Sequence, residues 1–195
     1  GIYAVLPDDM EETLALAALD VAGAPAQTQK LVKEGNSVLI LGAAGKSGML
    51  CCYEAKKKAG KDGNVVGLVI NEEQRDFLLE LGLVDKAIIA DAQNPMEVLT
   101  KSLEANNGEE YDVSICVVNV QNTEMSSILP VKDDGTVYFF SMATSFTKSA
   151  LGAEGVGKDV NMIIGNGYTK NHANITINCL RESETLRNVF KKLYV

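Results

Sequence analysis

Val38-Leu39-Ile40-Leu41-Gly42-Ala43-Ala44-Gly45-Lys46-Ser47-Gly48 reads as a short buried strand running into a glycine-spaced turn. A helix-compatible segment, Met49 to Ala59, follows the turn directly. Such a junction offers free backbone N–H groups and the positive end of a helix dipole to whatever lies above it. That arrangement suits an anion, most often the pyrophosphate of a nucleotide. Two registers describe the motif. Gly42, Gly45 and Gly48 form G-x-x-G-x-x-G, whereas Ala43, Gly45 and Gly48 form the dinucleotide fingerprint with alanine in its first position. In either register Gly45 lets the backbone approach the phosphates and Gly48 lets the helix pack on the strand. The bland alternative is a turn that serves strand-to-helix packing alone.

The same alternation continues on both sides of this stretch. Val65–Ile70, Lys86–Ala90, Val113–Val118, Thr136–Phe140 and Val160–Ile164 read as further strands. Helical segments stand between them at Glu72–Leu81, Pro95–Glu104, Thr123–Leu129 and Thr144–Leu151, and two more, His172–Leu180 and Glu184–Leu193, close the chain. Before the first strand, Met10 to Ala24 reads as an alanine-rich helix with Asp8, Asp9, Glu11 and Glu12 at its N-terminal end. Ala24-Pro25 breaks or bends it, and a second short helical stretch runs to Lys33. Six short apolar strands separated by helices require a parallel sheet covered on both faces. Right-handed crossovers then predict the α/β, doubly wound Rossmann fold in the order 3-2-1-4-5-6. Residues 1–34 form a mostly helical entry segment, and residues 35–195 the dinucleotide-binding domain.

Composition removes several function classes. The 195 residues are 46% apolar and 23% charged, ordinary for a globular domain. A net charge of −8 argues against nucleic acid as a partner. Lys56-Lys57-Lys58 and Lys61 fall at a helix C-terminus, where the dipole favours cations. No apolar run approaches the roughly 20 residues of a membrane span, and no secretory pattern opens the chain, so no membrane role and a cytoplasmic location are expected. Cys51, Cys52, Cys116 and Cys179 lack metal-knuckle or CxxC spacing, and His172 is the single histidine. Buried reduced thiols and no metal site are expected.

Ligands of such sheets bind beyond the carboxyl ends of the strands. On that rule Asn71 meets the adenosine ribose, Asp91 the adenine, Asn119 and Val120 the nicotinamide ribose, and Ser141 and Met142 the nicotinamide. Lys46 and Ser47 would reach the phosphates from the rim of the Gly42-Ala43-Ala44-Gly45 turn. Glu72 and Glu73 after Asn71 favour NAD over NADP, with Arg75 as a partial offset that keeps NADP possible. Asp91 has an equal claim as a simple turn acid. Gly45-Lys46-Ser47 also imitates an NTPase loop, but Ile40 stands where that loop needs glycine. Glu124, Tyr168, Lys170 and His172 are the candidates for acid–base work, and none is compelling, so the catalytic residues stay unknown.

Leu6-Pro7-Asp8-Asp9-Met10, Val32 to Leu41 and Gly42 to Gly48 resemble the cofactor half of the medium-chain dehydrogenases. Ser141-Met142-Ala143-Thr144-Ser145-Phe146, Gly165 to Ala173 and Leu180-Arg181-Glu182 resemble more narrowly the L-erythro-3,5-diaminohexanoate dehydrogenase family. That resemblance implies oxidative deamination of a diamino acid to a keto acid and ammonium with NAD(P), in lysine fermentation. It also implies a small amino-acid substrate and a homodimer formed through Val160–Ile164. A substrate-binding domain, which medium-chain dehydrogenases carry, is not expected within these residues, and Gly1–Leu6 supply at most one strand of it. The turn alone fits a quinone or enone reductase equally well, and a non-catalytic dinucleotide-binding module is the reading from a different class.

Overall fold

A computed structural model describes residues 2–165 and 167–195. Gly1 and Asn166, and so part of Gly1–Leu6 and of Gly165-Asn166-Gly167, lie outside the described residues. The elements run α1 (Glu12–Leu19), α2 (Gly23–Leu31), β1 (Ser37–Leu41), α3 (Lys46–Ala59), β2 (Asn64–Val69), α4 (Glu72–Glu80) and β3 (Lys86–Ile89). They continue with α5 (Pro95–Ala105), β4 (Tyr111–Cys116), α6 (Glu124–Ile128), β5 (Val131–Phe139), α7 (Phe146–Val156), β6 (Asn161–Ile164), α8 (His172–Glu182) and α9 (Glu184–Tyr194).

The strands form one all-parallel sheet in the order β3-β2-β1-β4-β5-β6, as the alternation predicts. β1 lies at its centre, with Val38 opposite Val65 on one side and Val113 on the other. Successive side chains of a strand point to opposite faces. Val38 and Ile40 therefore join one core with Met49, Leu50, Val65 and Phe190, while Leu39 and Leu41 join another with Val66, Leu68, Val137 and Phe139. All four side chains are fully buried, and burial of each contributes roughly 1.5–3 kcal/mol. An apolar residue at every position is thus what a central, doubly covered strand needs.

Several expected boundaries differ: α7 runs to Val156, five residues past the expected end at Leu151, and β4 lies two residues earlier than expected. The helix expected over Met10–Ala24 stops at Leu19, and the break falls at Asp20–Ala22 and not at Pro25. Pro25 sits in the first turn of α2, where its missing N–H deprives no carbonyl of a partner. α3 begins at Lys46, three residues before Met49, so Lys46, Ser47 and Gly48 belong to its first turn. β5 begins at Val131, opposite Tyr111; the ladder lapses over Lys132-Asp133-Asp134 and resumes with Thr136 opposite Val113. Residues 2–6 form no strand among the described residues. No helix among them is long and apolar enough to cross a membrane.

Candidate dinucleotide-binding site

Leu41 ends β1 at a turn whose shape is fixed by backbone bonds. The amides of Gly42 and Ala43 both donate to Leu68 O, at 3.1 and 3.2 Å, and Gly45 N donates to Gly42 O at 3.2 Å. The helix ladder resumes with Met49 N to Gly45 O at 2.9 Å. Between these bonds the amides of Lys46, Ser47 and Gly48 have no partner among the described residues. Three unpaired N–H groups at the start of a 14-residue helix form an anion cradle.

The three glycines are required for different reasons. Gly42 has φ +84°, a conformation side chains disfavour, and a Cβ there would lie 2.9 Å from the Val118 side chain. A Cβ on Gly48 would lie 2.1 Å from Gly42 O, so the first turn of α3 packs directly on the backbone of the turn. Gly45 is unlike both. Its φ is −78°, and a Cβ would meet only Gly42 O, at an ordinary 3.5 Å. Nothing within the described fold demands glycine at 45, and the space above it is open. In β2, Gly67 makes room for Ala43: a Cβ at 67 would stand 2.8 Å from the Ala43 Cβ.

A cleft of about 470 Å³ opens beside the turn, over the carboxyl ends of β4, β5 and β6. Ser47, Asn119, Ser141 and Met142 line it together, as the strand-tip rule expects. Ser141 is buried, and its Oγ accepts from the Ala143 amide at 3.1 Å, whereas Met142 is 89% exposed. Asp20, Val21, Val117, Phe140, Gly165 and Gly167 complete the wall, and none of them is among the residues expected at the site. Phe140 had a signal, since it was the last residue of an expected strand. Asp20 and Val21 had none, because they arrive through the break between α1 and α2.

The remaining candidates lie outside this cleft. Asn71 caps α4, its Oδ1 accepting from Gln74 N at 2.9 Å, and the Asp91 carboxylate closes a turn by accepting from Gln93 N at 2.9 Å. Val120 is exposed near the tip of β4. Lys46 turns away from the amides: its Nζ lies 3.0 Å from an Asp20 carboxylate oxygen and 5.3 Å from the centre of the Tyr194 ring. Arg75 is held by Asp76 at 2.9 Å, with Glu72 at 3.9 Å. The hydrogen bond it donates to Asp76 raises the pKa of its guanidinium further. Tyr168 and His172 meet edge to face, with ring centres 5.1 Å apart, near the exposed Lys170. Glu124 is buried on another cavity, accepting from Ser145 N at 2.7 Å. All four cysteines are buried and free, and burial pushes the Cys51 thiol up to about 12. No group of His, Cys, Asp and Glu suited to a metal ion occurs among the described residues.

No family model matches the chain. Among curated proteins it is 74% identical over all 195 residues to an L-erythro-3,5-diaminohexanoate dehydrogenase of Acetoanaerobium sticklandii. Over its whole length it resembles that enzyme. A protein of the same name from Fusobacterium nucleatum is 62% identical, again over 195 residues. The chain spans 57% and 56% of the length of these two curated relatives. Among solved structures, alcohol dehydrogenase TADH from Thermus sp. ATN1 superposes with TM-score 0.69 at 20% identity, covering 93% of this chain and 53% of that one. A mycobacterial protein complexed with NADPH gives TM-score 0.68 at 17% identity, covering 98% and 57%. These likenesses show the fold.

Proposed function

We propose that this chain is the dinucleotide-binding part of an NAD(P)-dependent amino-acid dehydrogenase of the 3,5-diaminohexanoate type. The observation that carries the reading is the 74% identity, unbroken over the whole chain, to a dehydrogenase of that name. The bare amides of Lys46, Ser47 and Gly48 under an open Gly45 support it from the chain's own geometry. Gly42 to Gly48 would hold the pyrophosphate, Asn71 the adenosine ribose, and Asp91 the adenine edge. Asn119, Ser141 and Met142 would orient the nicotinamide end in the cleft beside Ser47, with Val120 just outside it at the tip of β4. A dinucleotide bound there would supply the hydride acceptor for oxidation at an amine-bearing carbon, whose product water would hydrolyse to ketone and ammonium. The chain's own contribution is position: buried Ser141 fixes the loop that would carry the nicotinamide end, and Phe140 and Val117 keep that wall of the cleft apolar.

NAD is the favoured cofactor. Glu72 and Glu73 stand exposed beside Asn71, where they repel a 2′-phosphate, and the nearby cation, Arg75, is already held by Asp76 and Glu72. The substrate is a small diamino acid and the setting lysine breakdown, as the sequence resemblance implies. Four buried reduced thiols suit the cytoplasm. A homodimer through β6 fits the unequal edges of the sheet. At the β3 edge Lys101 Nζ donates to Ile89 O at 2.7 Å and Lys86 Nζ to Ala105 O at 2.7 Å, whereas β6 leaves Met162, Ile163 and Ile164 half-exposed.

The test is an assay of the full-length polypeptide that contains this chain, with L-erythro-3,5-diaminohexanoate and each dinucleotide. NAD-dependent ammonium release at a rate proportional to enzyme supports the reading. Reduction of a quinone without ammonium release would contradict it, as would dinucleotide binding with no turnover of either substrate.

A further inference from the structure

We propose that the cavity between α5, α6 and α7 is a second small-molecule site, built for a short zwitterionic amino acid and separate from the dinucleotide cleft. The cavity measures about 530 Å³, within the range of small-molecule pockets. Pro95, Met125 and Leu151 give it apolar walls. Two opposite charges line it. Glu124 is 97% buried, being 3% exposed, and one carboxylate oxygen accepts from Ser145 N at 2.7 Å. Lys148, exposed on the rim, reaches the neutral amide oxygen of Asn122. Neither charge forms an ion pair among the described residues, and they are not paired with each other.

Burying a carboxylate without a cation is costly, and the cost is recovered when an ammonium arrives. An apolar groove with an unneutralised carboxylate in its floor and an unneutralised ammonium at its rim complements a chain carrying both charges. The ammonium end of the ligand sits on Glu124 and its carboxylate on Lys148. None of the residues that line the dinucleotide cleft lines this cavity, yet the two share connections. Ser141 and Met142 face the cleft, and four residues on, Ser145 is held by Glu124. A ligand on Glu124 therefore bears on the segment that supports the nicotinamide end.

The experiment is calorimetric titration of the 195-residue chain with 4-aminobutanoate, 6-aminohexanoate, hexylamine and hexanoate. At least one amino acid is expected to bind saturably, with Kd of about 1 mM or below, and roughly tenfold more tightly than hexylamine or hexanoate. Glu124→Gln keeps an oxygen for the Ser145 amide but removes the charge, and is expected to weaken binding roughly tenfold. Lys148→Met, on an exposed residue that the fold does not need, is expected to do the same. Gly45→Val is expected to leave amino-acid binding unchanged. Absence of saturable binding, hexylamine binding as tightly as the amino acids, or indifference to both charge-removing variants would each overturn the proposal. Loss of binding in Gly45→Val would place the ligand in the dinucleotide cleft and overturn it as well.

Discussion

Gly45 and Gly48 are three residues apart in one loop, and the fold treats them oppositely. A methyl group on Gly48 would press on the backbone oxygen of Gly42, which has no rotamer by which to retreat. Gly48→Ala is therefore expected to cost about 1–3 kcal/mol by overpacking, read as a fall in the midpoint of chemical denaturation. Gly45→Ala meets no such obstacle and is expected to cost less than about 1 kcal/mol. Equal losses from the two would contradict this division of roles. The spacing of the glycines was legible in the sequence, but their separate duties were not, because they depend on which atoms face each position. Lys46 is a similar case. Its place in the motif was plain, whereas its direction is set by Asp20, twenty-six residues earlier, and by Tyr194 at the other end of the chain.

Elements were legible where burial alone dictated them and less so where a local signal had two uses. The strands of the doubly covered sheet declare themselves as apolar runs. Proline ends helices but equally begins them, and only packing decides which it does at Pro25. The start of β5 was hidden because Lys132-Asp133-Asp134 interrupts its pattern. One ionic contact fastens the start of β1 to β4. Asp112 accepts from Ser37 N at 2.7 Å and Ser37 Oγ at 3.2 Å, and Lys132 lies at 2.6 Å. Burial pushes its carboxyl up, but Lys132 and the Ser37 bonds outweigh burial and hold it below the usual aspartate value. A depressed carboxyl adds stability above its unfolded pKa and loses it as pH falls through the folded value. The contribution is therefore expected to be intact at neutrality, to begin falling at about pH 4 and to vanish only once the pH lies below the lowered folded value. Asp112→Asn should lower stability at pH 7 and flatten that acid limb. An unchanged acid limb in the variant would contradict the assignment.

At the scale of the whole molecule, two features stand out: unequal sheet edges and a cleft over the carboxyl end of the sheet. Gly165 N donates to Phe139 O at 3.0 Å, so in a parallel ladder the N–H of Met162 faces away from β5. Met162→Pro removes that outward donor without taking an inward bond. It is expected to convert the proposed dimer to a monomer in sedimentation velocity with the secondary structure retained, and a parent that is already monomeric or a variant that stays dimeric would contradict pairing through β6. The sheet order was readable from the alternation of elements, and one half of the cleft from the strand tips. The other half was not, since Asp20 and Val21 reach it only through the packing of α1 and α2 on α3, α8 and α9. The most direct test of the dinucleotide site is calorimetric titration of this chain and of Gly45→Val with NAD and NADP, each paired with a denaturation curve. Saturable binding to the parent, tighter for NAD, is expected, with loss of binding in Gly45→Val at nearly unchanged stability. Binding that survives in Gly45→Val, or no binding of either dinucleotide to the folded parent, would contradict the dinucleotide site.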